Sequence, residues 1–312
     1  MTLLQRSLFP DAYEVQDEAL AALEDLRVEQ AQRSVARARE RDARLVGLDL
    51  VERALSWLAP RLGGREPDEE AAAQSWRELP AARSRAELPP DSAASVDGVL
   101  ARFLLRRSPA ARPFVDRAER VHRGALQLVV ARPAPAREGL LETLSAGQRE
   151  RADLWSYLGD ACFLAERPYE ANACYVRALV IAAQDVDLMR LREPRLAELF
   201  GRLSSTHPQA VARELLLTQA WIEGLLTIPP GNGWIEAARV SALLAATTEP
   251  GPAPERRYRR LGLLVYRDRS RLPGAASLDE RSEMLELDPE LFRRYLGTCR
   301  ARERAGTPAL TW

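Results

Sequence analysis

The side chains that most often carry metal or nucleophilic chemistry are few and scattered in this sequence. It contains three cysteines, Cys162, Cys174 and Cys299, and two histidines, His122 and His207. No CxxC pair is present, and nothing in their positions matches the ligand spacing of a zinc site. We therefore predict no metal site and no cofactor, and we expect the thiols to be reduced.

Sequence signatures of catalytic loops are also missing. There is no GxSxG, HExxH or GxGxxG motif, and no lysine exists to complete a phosphate-binding loop. We interpret the two histidines as surface or capping residues and GNG at 231–233 as a turn between helices. Cys162 and Cys174 fit small apolar side chains on neighbouring helices. The sequence thus predicts a protein that is not an enzyme.

Arginine is the residue type whose clustering suggests a binding surface. All 45 basic residues are arginine, and segments 102–123 and 256–271 hold seven each. The second segment interleaves them with Tyr258 and Tyr266, as a surface that follows phosphates and stacks on bases would. The candidate residues for a nucleic-acid or acidic-partner patch are Arg106, Arg107, Arg256, Arg257, Arg259 and Arg260.

The arginine clusters have a second interpretation. Acidic segments 11–29 and 279–290 can pair with them within the fold or between protomers, and 45 acidic residues bring the net charge to zero. A balanced chain has no bulk attraction to nucleic acid or to an anionic membrane. We favour pairing within the chain or with another protein over binding of RNA or DNA.

Composition and the N-terminal segment bear on location. Hydrophobic residues make up 46% of 312 positions, enough to bury a sizeable core. The opening MTLLQRSLFPDAYEV lacks the apolar core of a signal peptide, and no run of about 18 apolar residues occurs. The enrichment in Arg, Ala, Leu, Pro and Gly is typical of a GC-rich genome. We expect a cytoplasmic bacterial protein that does not associate with membranes.

Apolar residues recur at helical spacings of three and four along most of the chain. The first block has stripes at Ala19, Ala22, Leu23 and Leu26 and then at Val28, Ala31, Val35 and Ala38. Short helices punctuated by proline continue from 96 to 226, which predicts antiparallel hairpins. We interpret 63–90 as a long connection with at most a short helix at Trp76. The alternation of Leu261, Leu263 and Val265 predicts a strand, and a final helix is expected from Asp288.

One segment, WSYLGDACFLAERPYEANACYVRAL at 155–179, has large, small and aromatic residues at fixed offsets. It resembles the tetratricopeptide repeat (TPR), a helical hairpin of about 34 residues. The matching positions are, in order, Trp155, Leu158, Gly159, Ala171, Tyr175 and Ala178. Cys162 and Ala183 depart from the pattern, since a tyrosine and a proline are usual there.

The resemblance implies a packing role for each matched residue. Gly159 and Ala171 would be small where the two helices cross, and Trp155 would pack towards the preceding helix. Tyr175 would pack against the next hairpin. The 166–168 turn ends in a proline suited to starting the second helix.

The resemblance also implies a groove that holds an extended peptide or a helix of a partner protein. The groove positions of the first helix correspond here to Asp153, Ser156, Asp160, Phe163 and Leu164. For Phe163 and Leu164, ordinary core packing is an equal alternative.

Together these patterns predict an all-α fold of TPR-like antiparallel hairpins stacked as an α-solenoid. We expect an N-terminal helical region at 1–62 with features of a degenerate repeat, a linker at 63–95, the array at 96–248 and a C-terminal appendage at 249–312. The expected function is that of a non-catalytic adaptor or assembly subunit that offers its groove to another protein. The alternative is a nucleic-acid-binding accessory subunit that uses the arginine clusters. The oligomeric state stays open.

Overall fold

Helix is the dominant regular structure in the part of the chain that the structure describes. The computed structural model describes residues 10–42, 45, 47–62, 68–229, 234–247, 253–271 and 277–304, with side chains from residue 14 onward. Among them lie fifteen α-helices, one short 3₁₀ turn and an isolated bridge between Phe114 and His122, but no strand. The prediction of an all-α fold is confirmed, and the chain divides into two compact units, Met1–Gly139 and Leu140–Trp312.

The described residues of the first unit form six complete helices. They are α1 (Pro10–Glu24), α2 (Val28–Arg41), α3 (Leu48–Leu62), α4 (Glu69–Ser84), α5 (Pro90–Arg107) and α6 (Arg123–Val129). The apolar stripes predicted for α1 and α2 are confirmed, because all eight of their residues are buried. The two helices pack together and are joined by a turn in which Leu26 has a φ of 55°.

The segment interpreted as a long connection is helical in its described part. Asp68 starts α4 by accepting a hydrogen bond from the Glu70 backbone N–H at 2.6 Å, and Trp76 and Leu79 lie in the core. A helix is therefore present at Trp76, as the interpretation allowed, but it is not short, since it extends over Glu69–Ser84. Its apolar periodicity is weak because small residues fill much of the buried face of α4, namely Ala72, Ala73, Ser75 and Ala82.

The second unit holds most of the remaining helices, and α7 (Pro133–Ser145) crosses the boundary. The others are α8 (Ala152–Leu164), α9 (Pro168–Ala182), α10 (Pro194–Thr206), α11 (Gln209–Ile222), α12 (Ala237–Ala245), α13 (Pro254–Ser270), α14 (Leu278–Leu287) and α15 (Pro289–Arg304). Helix α11 contacts α9, α10, α13 and α15 and places Trp221 at the centre of this unit. Arg302 donates to the Trp221 carbonyl at 2.7 Å.

Two predictions made for the C-terminal region, a strand and a final helix, can be compared with the structure. Residues 261–265 belong to helix α13, so the predicted strand is wrong. Helices α11, α12 and α14 all contact α13, and 261–266 are buried without a solvent-facing side that would show a helical period. The expected final helix is confirmed as α15, with Asp288 accepting from the Leu291 N–H at 2.9 Å.

None of the helices in the described part of the chain is both long and apolar enough to span a bilayer.

Candidate binding cleft

The hairpin of α8 and α9 is held by close contact at Gly159. A Cβ atom on Gly159 would lie 2.6 Å from Cε1 of Tyr175, so only hydrogen fits at this crossing. Glu166 in the turn has a φ of 57°, and Pro168 begins α9 as expected. Tyr175 thus packs inside its own hairpin, against the helix that precedes it. The resemblance had implied contact with the next hairpin. Leu158, Ala171 and Ala178 are buried.

The predicted groove is largely closed. Ser156 is 1% exposed and Asp160 is 2% exposed, so neither can contact a partner in this structure. Asp153 forms an ion pair with Arg151 at 2.5 Å. Phe163 is half-buried, and Leu164 is 41% exposed at the end of α8. Leu164 is therefore the most exposed of the five expected groove residues.

Asp160 fixes a neighbouring segment instead of binding a partner. Its Oδ1 accepts hydrogen bonds from the Tyr175 hydroxyl and the Arg192 backbone N–H, each at 2.8 Å. Removal from water raises the pKa of Asp160 from 3.8 to about 7, against the opposing effect of these two hydrogen bonds. The nearby charge of Asp187 raises the pKa and that of Arg192 lowers it. The carboxyl therefore titrates near neutral pH.

Asp160 predicts a pH dependence of stability. Below its unfolded pKa the carboxyl is protonated in both states, and above about pH 7 it is ionised in both. Between these values folding takes up a proton, so its contribution to the free energy of unfolding falls as pH rises, by up to about 1.4 kcal/mol per unit. Urea unfolding at pH 5, 6 and 7 gives the free energy of unfolding of the wild type and of Asp160→Asn. The wild-type value minus the variant value should fall with this slope as pH rises, and a difference that is constant with pH would contradict the assignment.

Most of the arginines in the two clusters make contacts within their own unit. Arg106 donates to Asp25 at 3.1 Å in the first unit, and Arg102 lies 3.4 Å from Glu24. In the second, Arg260 pairs with Glu283, and Arg257 lies 3.7 Å from Asp288. The interpretation that acidic segments pair with the clusters inside the fold is confirmed for these residues.

Arg259 is a structural residue. It lies 15% exposed and donates to the carbonyls of Leu179 and Ile181, both at 2.8 Å, and of Val180 at the end of α9. A guanidinium at a helix C-terminus satisfies carbonyls that have no partner in the helix and faces its negative end. Arg259 is therefore not available to phosphate.

Removing Arg259 should cost stability, whereas removing its neighbour should not. We expect Arg259→Ala to lower the free energy of unfolding by about 3 kcal/mol, because three carbonyls and Glu214 lose a buried cation. Arg256 is exposed and makes no ion pair with described residues, so Arg256→Ala should change stability by less than about 0.5 kcal/mol. Equal effects in urea unfolding would contradict this assignment.

A cleft of about 400 Å³ opens on the second unit, beside the TPR-like hairpin. Trp155 of α8 and Trp234, which precedes α12, both line it and are half-buried. The remaining apolar lining comes from Leu141, Leu144, Ile181 and Ile235. This volume lies within the usual range for ligand sites, and aromatic walls with a few polar groups are typical of them.

Arg177 is held rigidly in the cleft. Its guanidinium carbon lies 4.6 Å from the centre of the Trp155 ring, and its Nε donates to the Trp234 carbonyl at 3.0 Å. The Trp155 indole N–H donates to the Arg149 carbonyl at 2.8 Å, which orients the ring. Arg177 has no acidic partner among the described residues. Its terminal amino groups thus remain as hydrogen-bond donors for a ligand.

Charged side chains of both signs complete the rim of the cleft. Arg239 pairs with Glu150, while Arg149 and Glu236 are exposed and have no ion-pair partner in the described part of the chain. The cleft therefore combines two indoles, a fixed cation and a mixed rim. That combination is suited to holding a short segment of another molecule in one orientation.

The residues singled out as candidates for chemistry have structural roles where they are described. His122 is 1% exposed and starts α6, where its Nδ1 accepts from the Gly124 N–H at 2.9 Å. His207 follows the end of α10. The three cysteines are buried thiols, and none of them forms a disulfide with a described residue. Residues 231–233 lie outside the described part, and no cluster of potential metal ligands occurs within it.

Comparison of the chain with protein-family models, with curated proteins and with solved structures gives no match. The class of protein is therefore defined by fold and site alone. It is an all-α protein in two units, of which the second carries an open cleft lined by two tryptophans and three arginines, one of them stacked on Trp155.

Proposed function

We propose that the protein is a non-catalytic adaptor or assembly subunit that binds an extended segment of another protein in this cleft. The observation that carries the proposal is Arg177, half-buried and stacked on Trp155, with no acidic partner among the described residues. Tryptophan and arginine dominate the energetics of protein interfaces when they are preorganised and partly desolvated. Both conditions hold here.

The α8–α9 hairpin is, in this proposal, a divergent TPR in an α-solenoid-like stack. The close approach of Gly159 and Tyr175 and the proline at the start of α9 support it. The binding surface differs from the groove implied by the family, because Ser156 and Asp160 are buried. The location that we propose is the cytoplasm, where cysteines outside disulfides stay reduced.

Nucleic-acid binding through the arginine clusters is the second candidate. Arg107 and Arg256 are exposed and form no ion pair with described residues, which favours it. Arg259 and Arg260, however, are engaged with carbonyls and with Glu283. Four of the six candidate residues, Arg106, Arg257, Arg259 and Arg260, are thus engaged within the fold, whereas the affinity of such a site depends on several phosphate contacts.

Affinity capture from the host lysate separates the two candidates. The tagged protein is incubated with and without nuclease and washed at about 0.1 M and about 0.5 M salt, since phosphate contacts weaken steeply over this range. A discrete protein that is retained after nuclease and high salt is the expected result. Loss of all bound material after nuclease treatment would overturn the adaptor proposal in favour of nucleic acid.

A further inference from the structure

The chemistry of the cleft restricts the segment that it can hold. Arg177 uses one face for Trp155 and its Nε for the Trp234 carbonyl, which leaves the terminal amino groups of a planar fork. Such a fork matches the two oxygens of a carboxylate. Because the guanidinium is fixed and half-buried, it loses little side-chain entropy on binding an anion.

The apolar lining favours a ligand that also carries an apolar side chain. Trp155 and Trp234 together with Ile181 present apolar surface beside Arg177. A ligand with only a charge would leave this surface in contact with water, and a purely apolar ligand would bury the Arg177 donors without acceptors. A large apolar or aromatic group next to a carboxylate satisfies both.

The rim argues against a polyphosphate chain. Glu150 and Glu236 line the cleft together with the arginines, so a backbone with repeated negative charges would meet two carboxylates at the rim. A single carboxylate, in contrast, can reach Arg177 or Arg149 while the rest of the segment stays neutral. The charge pattern favours a peptide over RNA or DNA.

We propose that the cleft recognises a peptide motif in which an aspartate or glutamate lies within one or two residues of a large apolar side chain, with the carboxylate bound by Arg177. This rests on the proposed function, since it specifies the partner of the same site. The exposed Arg149 supplies a second donor at the rim.

Selection of random peptides displayed on phage against the immobilised full-length protein tests the motif. Peptides bound by the wild type are counter-selected against Trp234→Ala, so that the retained ones depend on the cleft. We expect an acidic residue next to Leu, Phe, Trp or Met in these peptides. Arg300→Gln removes an exposed arginine that does not line the cleft, and it should select the same peptides.

A double-mutant cycle then assigns the carboxylate to Arg177. Exchange of the acidic residue of a selected peptide for its amide should weaken binding to the wild type about tenfold and binding to Arg177→Gln by less than about twofold. Circular dichroism and thermal unfolding check that the variant is folded. Should it fail to fold, Arg177→Lys takes its place, and the amide exchange must then cost less on the variant than on the wild type.

The outcomes separate this inference from the function on which it rests. Peptides that depend on Trp234 but lack an acidic residue would overturn the motif and leave the adaptor proposal intact. An exchange of the acidic residue for its amide that weakens binding to the wild type and to the Arg177 variant equally would also overturn the motif and leave the adaptor proposal intact. Absence of any peptide that depends on Trp234 would overturn both. Displacement of a selected peptide by a single-stranded oligouridine would show that the cleft accepts a polyphosphate chain and would also overturn the motif.

Discussion

Replacing Trp234 with alanine should weaken binding of the captured partner by about thirtyfold or more. Interface residues of this type commonly contribute about 2 kcal/mol or more when truncated. The substitution leaves the backbone carbonyl that accepts from Arg177, so the Arg177 side chain keeps that hydrogen bond. Isothermal titration of purified partner into wild type and variant measures the loss directly.

Leu164→Ala is the matched control for this effect. Leu164 is an exposed apolar residue of the same unit and belongs to the groove implied by the TPR resemblance, but it does not line the cleft. We expect its truncation to change the dissociation constant by less than about twofold. The reverse outcome, with a large loss at Leu164 and none at Trp234, would place the partner in the groove and not in the cleft.

Gly159→Ala should destabilise the second unit. A Cβ here would lie 2.6 Å from the Tyr175 ring, so the two helices must separate or the ring must move. Overpacking of this kind typically costs about 1–3 kcal/mol, which exceeds the gain of about 1 kcal/mol that alanine brings to a helix interior. The free energy of unfolding in urea should therefore fall.

Gly201→Ala is the control, because it should change the free energy of unfolding in the opposite direction. Gly201 is an exposed residue of α10, and a Cβ there meets no atom within 4 Å. We expect stability to rise by up to about 1 kcal/mol, because only the helix propensity changes. If Gly159→Ala also stabilised the protein, the close crossing at Tyr175 would be refuted. If the ring is the cause, Gly159→Ala should cost less in a Tyr175→Leu background than in the wild type.

The sequence predicts helices well where one face is buried and the other is solvated. The stripes of α1 and α2 could be predicted because apolar and polar positions alternate with the helical period. The 166–168 turn could be predicted from the proline that begins α9. Helix α13 could not be read in this way, since 261–266 are buried without an exposed face. For α4 the available signal was Asp68 followed by two glutamates, a pattern typical of a helix start.

The candidate site was less accessible to sequence analysis. Trp155 was recognised as a packing position of the hairpin, but its partial exposure depends on how α7 and the 234–236 segment approach it. Arg177 looked like any other helix-surface arginine, because its stacking and its bond to Trp234 join residues that are distant in the chain. Acidic segments did indicate that the arginine clusters would be neutralised internally, as found for Arg260 and Glu283.

Photo-cross-linking from inside the cleft tests the central claim most directly. A benzophenone amino acid replaces Leu141, which lines the cleft and is 36% exposed, and in a separate variant it replaces Leu285, which is 45% exposed elsewhere in the same unit. After irradiation in the host cell, our account predicts a discrete protein adduct from position 141 and none from position 285. An adduct from neither position, or the same adduct from both, would contradict a binding site in the cleft.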